Sequence, residues 1–445
     1  MKKIILILSL SLIVSSCAAR HVRMPEAESA RMGPDERTQA DAYYHFMLGN
    51  IAEESGAFDD AMKEYEEAFE LDPTAAEVAL SVASLNLRKG DLDQATHFAQ
   101  QAAALQPDNP QPLMLLANIQ TRHKQYDDAV DTYRKVIAAN PKQEDAYLYL
   151  GSLYASMKRF DEAVETFHAL DKINPSLIMS PYYLGRIYTE RQMYKEALAE
   201  YKRAVSIRDD FEPVYIGMAF VYELMDNVGD AITAYKKAIE INPNHAEAHA
   251  LFSQLLLILG RMSEAMEHAE LALKLDPHNP IVKVWYSADL LIVHHYDDCI
   301  SVSREVFEKN PTLFLVLQCP SIALHMKKRY DEAFEMTKLC ISNVYQDFDH
   351  VFNQFEKLGY TDTLNLEGDT LLSQSKSKYI PPADIAYIYS LAGNKERTLD
   401  CLKLAYEMHD PNVIYSGVYP QFTIIHNEPR FQELLRKMNL PLPYK

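Results

Sequence analysis

Residues 147–175 read YLYLGSLYASMKRFDEAVETFHALDKINP, and this stretch indicates how most of the chain is built. Its first half carries an apolar stripe that includes Gly151, and its second half places Ala163 and Phe167 one helical turn apart. Pro175 ends the stretch, because proline lacks the backbone N–H that would continue a helix. The pattern predicts two short amphipathic helices joined by a tight turn and followed by a sharp stop.

The same pattern recurs every 34 residues, and residues 215–243 (YIGMAFVYELMDNVGDAITAYKKAIEINP) are a second clear copy. Prolines follow this spacing, and Asp209 is the one exception inside their series: Pro73, Pro107, Pro141, Pro175, Pro243, Pro277 and Pro311. Small residues stand at a second register, which comprises Ala61, Ala95, Ala129, Ala163, Ala197, Ala231, Ala265 and Cys299. Repetition at this period is typical of helical solenoids.

These registers resemble the tetratricopeptide repeat, a family whose small and aromatic positions occur in this order. Small residues at the Gly49 and Ala61 registers let the two helices of a repeat approach closely, and the aromatic at the Tyr65 register fills the gap to the next repeat. The resemblance implies an all-α fold. We expect a right-handed α-solenoid of about nine to ten helix–turn–helix repeats with a C-terminal capping helix.

The repeat pattern predicts about nine repeats over residues 42–347, the last of which lacks its final proline. Residues 348–378 lose the pattern and predict an irregular helical connector with one or two helices around Gly359 and Gly368. Residues 379–445 predict a further repeat-like pair and a short final helix.

This final segment resembles the closing segment of the tetratricopeptide arrays of bacterial winged-helix, cyclase and protein-kinase regulators. The residues that carry the resemblance are Pro382, Asp384, Ile385, Ala386, Leu391, Gly393, Asp410, Pro411, Pro420, Phe422, Pro429, Arg430 and Phe431. The resemblance implies a cap on the solenoid, since terminal repeats need a polar outer face.

The start of the chain has a different character. Lys2 and Lys3 precede an apolar run from Ile4 to Val14, and Cys17 follows two serines. The run is shorter than the roughly 20 residues that a spanning helix needs, so its layout is typical of a secretory signal peptide.

The tetrad VSSC at residues 14–17 resembles the lipobox of bacterial lipoproteins, in which the chain is cut before the cysteine and acyl chains such as palmitate are attached to it. The resemblance implies a signal peptide over residues 1–16 and a lipid anchor at Cys17. Ala18, where an aspartate would imply the inner membrane, implies the periplasmic side of the outer membrane. Residues 17–41 are polar and predict a flexible tether. The alternative is an ordinary signal peptide with a chance cysteine.

The composition limits the classes of function. A formal net charge of −19 argues against nucleic acid as a partner, because phosphate backbones repel an acidic surface. The sequence contains no zinc-protease, serine-hydrolase, P-loop or dinucleotide-binding motif, and no segment remains for a catalytic domain. We therefore expect a protein that is not an enzyme and that takes neither a cofactor nor a metal.

His294 and His295 precede Asp297 and Asp298 and allow two interpretations. They are either a metal site or two polar residues of a turn. The second is favoured because acidic pairs recur at this register, where they suit a helix N-terminus. Four cysteines follow Cys17 and match no zinc spacing: Cys299, Cys319, Cys340 and Cys401. Free thiols and a disulfide between Cys319 and a neighbour both remain open.

The resemblance also assigns a binding face. In this family the first helix of each repeat lines a concave groove, into which fixed positions of the repeat point. Those positions give a candidate peptide-binding groove made of Asn118, Arg122, Tyr182, Arg186 and Phe220. Aromatic residues and arginine concentrate binding energy at interfaces. The alternative is that these residues only pack between repeats.

Two further features of the groove follow from the same positions. The carboxylate clamp of some family members is not expected, because Phe46 and Leu80 stand where lysines would be needed, although Asn50 has the right register. Apolar residues such as Leu257 and Leu291 line the groove in repeats seven and eight, and they either bind a partner or pack against the C-terminal cap.

We expect a non-catalytic, membrane-anchored scaffold that binds protein or peptide partners during assembly or export in the cell envelope, as in pilus, secretin or exopolysaccharide systems. The alternative is an enzyme or metal-dependent activity in the C-terminal region or at His294 and His295.

Overall fold

The computed structural model describes residues 34–442, except residue 226 and residues 346–347. Within those ranges every regular element is a helix, in agreement with the expected all-α class. The predictions for Cys17 and for residues 1–16 lie outside the described residues.

The helices divide between two compact units, which meet in sequence at Ser180 and Pro181. The N-terminal unit contains α1 (Pro34–Glu54), α2 (Phe58–Leu71), α3 (Ala76–Lys89), α4 (Leu92–Leu105), α5 (Pro110–Arg122), α6 (Tyr126–Ala139), α7 (Glu144–Ser156) and α8 (Phe160–Ile173). Helix α9 (Met179–Glu190) begins at its end. This division lies inside the array predicted over residues 42–347.

The C-terminal unit continues with the same kind of helix. It contains α10 (Tyr194–Ile207), α11 (Glu212–Leu224), α12 (Val228–Ile241), α13 (Ala246–Ile258), α14 (Met262–Leu275), α15 (Pro280–Ile292), α16 (Tyr296–Lys309), α17 (Gln318–Met326) and α18 (Tyr330–Val344). It ends with α19 (Asp349–Phe352), α20 (Phe355–Gln374), α21 (Pro382–Leu391), α22 (Lys395–Glu407), two 3-10 helices (Pro411–Gly417 and Pro420–Ile425) and α23 (Pro429–Lys437).

The turn inside each repeat explains why the period is constant. Residues with a positive φ angle recur at 34-residue steps between the two helices of a repeat, and they are Gly56, Gly90, Lys124, Lys158, Gln192, Gly260, His294 and Lys328. A left-handed residue just after a helix reverses the chain and satisfies its last carbonyl groups.

The link between repeats is fixed by an asparagine or aspartate ahead of the proline. Asp72 accepts a hydrogen bond from the backbone N–H of Thr74 at 3.0 Å, and Asn140 accepts one from that of Lys142 at 3.2 Å. Such side-chain turns explain why the motifs LDP and INP end a helix and start the next repeat.

Three aromatic residues of the Tyr65 register, Tyr65, Phe167 and Tyr201, fill a gap that a glycine leaves open. A Cβ atom added to Gly49 would lie 2.5 Å from the ring of Tyr65, and one added to Gly185 would lie 2.6 Å from that of Tyr201. The ring of Tyr201 also lies against Gly217 of the following repeat, so it packs within its repeat and between repeats. The packing predicted for these registers is confirmed.

The connector is more regular than its sequence suggests. Helix α20 breaks only at Gly359, where φ is 78°, whereas Gly368 lies inside the helix and receives the ring of Tyr389 from α21. The sequence predicts one or two helices around these glycines, and of the two only Gly359 interrupts the helix, whereas Gly368 provides space for a neighbouring ring. Helix α21 begins at Pro382, a whole number of 34-residue steps after Ala76, so the period persists where its signature residues are lost.

The predicted tether over residues 17–41 is too long. The chain is helical from Pro34, so residues 34–41 belong to α1. Proline is tolerated in the first turn of a helix, where its missing N–H would be unpaired in any case. None of the helices described here has the length and apolar character that crossing a membrane requires.

Candidate partner-binding surface

One position on the first helix of each repeat changes from exposed to buried along the array. The Asn118 register, defined as Asn118, Ser152, Arg186, Phe220 and Gln254, recurs every 34 residues. Asn118 and Arg186 are exposed, Ser152 is half-buried, and Phe220 exposes 46% of its surface. Gln254 exposes only 3%, so the register is open from the third to the sixth repeat and closed at the seventh.

An aromatic cluster surrounds Arg186 in the C-terminal unit. The guanidinium of Arg186 lies 5.9 Å from the ring centroid of Tyr182 and 5.8 Å from that of Tyr183. Tyr182 also meets Phe211 edge to face at 5.4 Å, and its burial raises its pKa. Arginine held over aromatic faces keeps its donors free for an incoming anion.

Sequence reasoning missed two members of this surface, Phe211 and Arg208. The guanidinium of Arg208 lies 4.8 Å from the ring centroid of Phe211, and it also pairs with Asp210 at 3.3 Å. The backbone at Arg208 is extended, with ψ at 120°, whereas the other second helices from α2 to α16 end with ψ between 71° and 88°. The signal in the sequence was Asp209, the one break in the proline series.

Arg186 has no carboxylate within salt-bridge distance among the described residues, whereas many other arginines do. Arginine–carboxylate pairs are formed by Arg88, Arg134, Arg159, Arg203, Arg208, Arg261, Arg304, Arg329 and Arg430. Arg186 therefore differs from these arginines, because its closest charged-group contacts are the rings of Tyr182 and Tyr183.

Asn118 and Arg122 lie one turn apart on α5, in the N-terminal unit. Both are exposed, and a guanidinium nitrogen of Arg122 donates to the carbonyl oxygen of Leu87 at 3.5 Å. The five predicted groove residues thus belong to two surfaces, one in each unit. Their role in binding stays a prediction.

Asn50, which has the register of a clamp asparagine, is engaged inside its own repeat. Its side-chain oxygen accepts a hydrogen bond from the hydroxyl of Tyr65 at 2.8 Å. A carboxylate oxygen of Glu53 also lies 2.8 Å from that hydroxyl, so the two acceptors share its single proton.

In the C-terminal unit a segment of the chain itself covers the groove face of the seventh and eighth repeats. Leu291 and Ile322 are fully buried in one cluster with Val413, Phe422 and Ile425. Leu257 and Ile292 pack against Val418 and Tyr419 in a second cluster, which includes Leu255 and Leu256. We call residues 411–425 the covering segment. For repeats seven and eight, packing against the C-terminal cap is confirmed.

The covered face also holds acids in unusual surroundings. Asp289 is fully buried; it accepts a hydrogen bond from the Ser253 hydroxyl at 2.9 Å and another from the Gln254 amide, and burial raises its pKa well above the usual range. Glu223 accepts from the Tyr235 hydroxyl at 2.6 Å, and burial raises its pKa to about 7.

Glu367 on α20 is more isolated still. It is fully buried, neither carboxylate oxygen has a hydrogen-bond partner, and burial raises its pKa to about 8. It stands one 34-residue step after Ala333, in the register of small buried residues.

His294 is a turn residue, as the second interpretation of the histidine pair predicted. Its φ angle is 66° and its Nδ1 atom lies 2.7 Å from the Tyr296 hydroxyl oxygen. Asp297 is paired with Lys327 of the next repeat instead of facing the histidines. The described residues contain no group of three or more His, Cys, Asp or Glu that is placed to hold a metal ion.

The four cysteines after Cys17 are free thiols. Burial raises the pKa of Cys319 and Cys340 to about 12 and that of Cys401 to about 11, and it raises the pKa of Cys299 further. A thiol that stays protonated is a poor nucleophile.

A sequence model of the tetratricopeptide repeat family matches residues 52–119, 120–183, 188–255 and 225–283, which together make up just over half of the chain. No curated protein sequence matches this chain. The chain belongs to the tetratricopeptide repeat family.

Among solved structures, a tetratricopeptide repeat protein from Parabacteroides merdae is 16% identical, with a TM-score of 0.48 over 56% of this chain and 99% of its own. PilF of Pseudomonas aeruginosa is 15% identical, with a TM-score of 0.39 over 47% of this chain and 95% of its own. MamA of Desulfovibrio magneticus is 19% identical, with a TM-score of 0.35 over 38% and 95%. These likenesses concern the fold alone.

Membership of this family defines the kind of work that the array performs. Tetratricopeptide repeat domains bind protein or peptide partners, and the chain is a protein-interaction scaffold of this class.

Proposed function

We propose that this scaffold is a lipoprotein, held by Cys17 on the periplasmic side of the bacterial outer membrane, and that it binds extended peptides or partner subunits of an envelope assembly or export system. Catalysis and nucleic-acid binding have no part in this proposal. The proposal joins a binding surface, argued from the structure, to an anchor, argued from the sequence.

The observation that carries the binding function is the Arg186 surface, made of Tyr182, Arg186, Arg208, Phe211 and Phe220. Its aromatic rings are partly open to solvent, and its central arginine has no carboxylate partner among the described residues. Tyrosine and arginine dominate binding energy where they are grouped on a rigid support. Here the support is formed by α9 and α11, which both contact the ring of Tyr201, and by the link that carries Arg208 and Phe211.

The chemistry of the surface favours one kind of peptide. Arg186 offers a planar set of donors that pairs well with a carboxylate, and Phe220 offers an apolar contact one repeat further on. We expect the partner to present an acidic side chain or a C-terminal carboxylate next to an aromatic or aliphatic side chain.

The anchor rests on the tetrad at residues 14–17 and on its distance from Lys2 and Lys3. Each buried methylene contributes about 0.8 kcal/mol, so two or more acyl chains hold a protein stably on a membrane. Pilus, secretin and exopolysaccharide export are the processes proposed, because they use lipoproteins built in this way.

A photo-crosslinking amino acid placed at Phe220 tests the binding surface in the full chain. Phe58, which exposes 37% of its surface on α2, is the matched control position. A partner captured from envelope fractions at Phe220 but not at Phe58, and lost when Arg186→Ala is added, supports the surface. Capture that is equal at both positions contradicts it.

Cys17→Ser tests the anchor independently. The substituted chain should move from the outer-membrane fraction to the soluble periplasmic fraction, since the acyl chains have no other attachment. If the substituted chain still floats with outer membranes, the lipid anchor is wrong, whatever the outcome at Phe220.

A further inference from the structure

Helix α1 has an apolar edge that nothing in the described part of the chain covers. Ile51 exposes 59% of its surface. The same register in later repeats is buried to 4% or less: Leu85, Ile119, Leu153, Ile187, Val221, Leu255, Asp289 and Ala323. Ile51 is thus exposed at a position that the fold otherwise buries.

The preceding repeat covers this register elsewhere. Leu85 lies in a cluster with Ala61, Met62 and Tyr65, which belong to the second helix of the repeat before it. Ile119 lies likewise with Ala95 and Ala99 of α4. Ile51 belongs to the first repeat, so a helix from outside that repeat has to supply the equivalent contact.

The exposed edge is a continuous stripe and not a single residue. Tyr44, Met47, Leu48 and Ile51 follow the spacing i, i+3, i+4 and i+7, with Met47 exposing 41% of its surface and the other two half-buried. Arg37, Ala40 and Glu54 continue the stripe at both ends. In a seven-residue repeat, positions 37, 44 and 51 are equivalent, and so are 40, 47 and 54.

The length of α1 excludes a second helix of a preceding repeat over residues 34–41. Helix α1 has 21 residues, whereas the first helices from α3 to α15 have 12 to 14. Residues 34–41, where a preceding repeat would place the end of its second helix and its link, are already part of α1. The stripe is therefore a full-length helix face, long enough to pair with another helix.

We propose that the occupant of this face is α1 of a second copy of the chain, packed antiparallel about a two-fold axis. Antiparallel pairing places the two sets of equivalent positions opposite each other in layers. Tyr44 then meets Met47 of the other copy, Ala40 meets Ile51, and Arg37 meets Glu54.

Size and charge both select this arrangement. A small residue stands opposite Ile51, and opposite charges meet at each end of the pair. A parallel pair would instead bring Arg37 against Arg37 and Glu54 against Glu54, which is unfavourable. A face that complements itself is what a two-fold interface requires.

The contact is modest in area, since it involves one helix from each copy. Interfaces below about 1,200 Å² in total belong to weak and transient complexes. We infer a dimer that forms at about micromolar concentrations, and that tethering both copies to one surface would favour.

The test uses the purified full chain with Met47→Cys and a short bismaleimide crosslinker. Met408→Cys is the matched control, because Met408 exposes 47% of its surface far along the chain. The unsubstituted chain measures any reaction of Cys17 and of the four other thiols. Covalent dimer should form about a hundredfold faster through position 47, because thiols held in contact react at millimolar effective concentration.

Ile51→Glu added to the Met47→Cys chain should abolish the faster formation of covalent dimer. Ile281→Glu, at an isoleucine 43% exposed on α15, should leave that rate unchanged. Three results would overturn the proposal. One is equal dimer formation at positions 47 and 408. Another is crosslinking that survives Ile51→Glu. The third is a thiol at position 47 that a monofunctional maleimide cannot reach, since the chain would then cover its own stripe.

Discussion

The third to sixth repeats and the seventh repeat use the Asn118 register in opposite ways. In the N-terminal unit this register is open, with Asn118 exposed and Ser152 half-buried. In the C-terminal unit it is open at Arg186 and Phe220 and then closed at Gln254, where the covering segment begins to form the core. A repeat therefore does not determine whether its first helix binds a partner or packs inside. The presence of another segment of chain on that face decides it.

Covering the face has an electrostatic consequence as well. Among the described residues, the carboxyl groups whose pKa is raised are Glu223, Asp289, Glu367 and Asp384, and all of them belong to the C-terminal unit. In the N-terminal unit the carboxyl shifts run the other way, as at Asp59, whose pKa is lowered by Lys89. The larger core of the C-terminal unit therefore contains buried carboxyl groups, whose ionisation is unfavourable.

The largest expected effect comes from removing the anchor of the covering segment. Phe422→Ala should lower the free energy of unfolding of the C-terminal unit by about 3–5 kcal/mol, because Phe422 is 4% exposed and leaves a cavity. Amide hydrogen exchange should show lost protection in α13, α15 and α17 but not in α3 and α5. Equal loss in both groups of helices would contradict the difference between the units.

The second effect is a pH dependence of the free energy of unfolding that is confined to the C-terminal unit. Glu367 has a folded pKa of about 8, above the ordinary value near 4.5, so the unfolded state releases its proton first as the pH rises. The stabilising contribution is complete below about pH 4.5 and is lost as the pH rises through about 8, by about 2–4 kcal/mol. Denaturant unfolding followed at pH 5 and pH 8 measures it.

Glu367→Gln is the matched control for this dependence. It keeps the shape of the side chain but cannot ionise, so the loss of stability between those two pH values should shrink. Glu223→Gln should act in the same direction over the narrower range that ends at a pKa of about 7. If the N-terminal unit shows the same pH dependence, buried acids are not its cause.

The packing of aromatic rings on glycines should not distinguish the units. Gly151→Ala in the N-terminal unit and Gly185→Ala in the C-terminal unit would each place a Cβ within 2.7 Å of a ring, and each should cost about 1–3 kcal/mol. Gly229→Ala, where the added Cβ meets nothing within 4 Å, is the control and should be neutral or slightly stabilising. Thermal unfolding of the three variants makes the comparison.

The smallest effect concerns a pair of positions that the two units fill differently. His45 and Glu64 lie 2.7 Å apart, and the equivalent His249 and His268 lie 2.7 Å apart between their Nδ1 atoms. The Nε2 atom of His249 donates to the Pro243 carbonyl at 3.0 Å, so its Nδ1 atom accepts the proton of His268. Burial, and then His249, lower the pKa of His268.

A lowered histidine pKa contributes stability that is lost as the pH falls below about 6.5. His268→Glu should reproduce the pair of the first repeat and raise the stability of the C-terminal unit by about 0.5–1 kcal/mol at low pH. The gain should fade as the pH rises, because the lowered pKa of His268 then no longer destabilises the unsubstituted chain. A gain that is independent of pH would show that protonation is not involved.

Much of the fold could be predicted because one solenoid signal is repeated many times. Gly49, Ala61 and Tyr65 each stand for a register in which many copies agree, so that a single departure such as Asp209 does not hide the pattern. The sequence leaves the role of Gly368 open, because a glycine serves a turn and a close contact equally well, and only the position of Tyr389 decides between them. The start of α1 was missed because a polar helix end has no apolar periodicity.

The site was harder to predict for a physical reason. Asn118 and Gln254 have one register and similar chemistry, yet Asn118 is exposed and Gln254 is buried, with its amide bonded to Asp289 and to the Trp285 carbonyl of the next repeat. The buried acids at Asp289 and Glu367 are likewise visible only when the covering elements are in place. Registers identify which side chains can share a face, whereas burial depends on long-range contacts.

The turn register gives the array a graded elasticity. Gly56, Gly90 and Gly260 adopt the left-handed conformation without strain, whereas Lys124, Lys158, Gln192, His294 and Lys328 adopt it at a cost of about 1–2 kcal/mol each. Helical arrays open locally, repeat by repeat, and the conformational cost of each turn lowers the stability of its own repeat. Under a pulling force, the third to fifth repeats and the eighth and ninth should unfold before the first two and the seventh. Among the turns that the structure describes, the identity of one residue per turn therefore sets the mechanical resistance of its repeat.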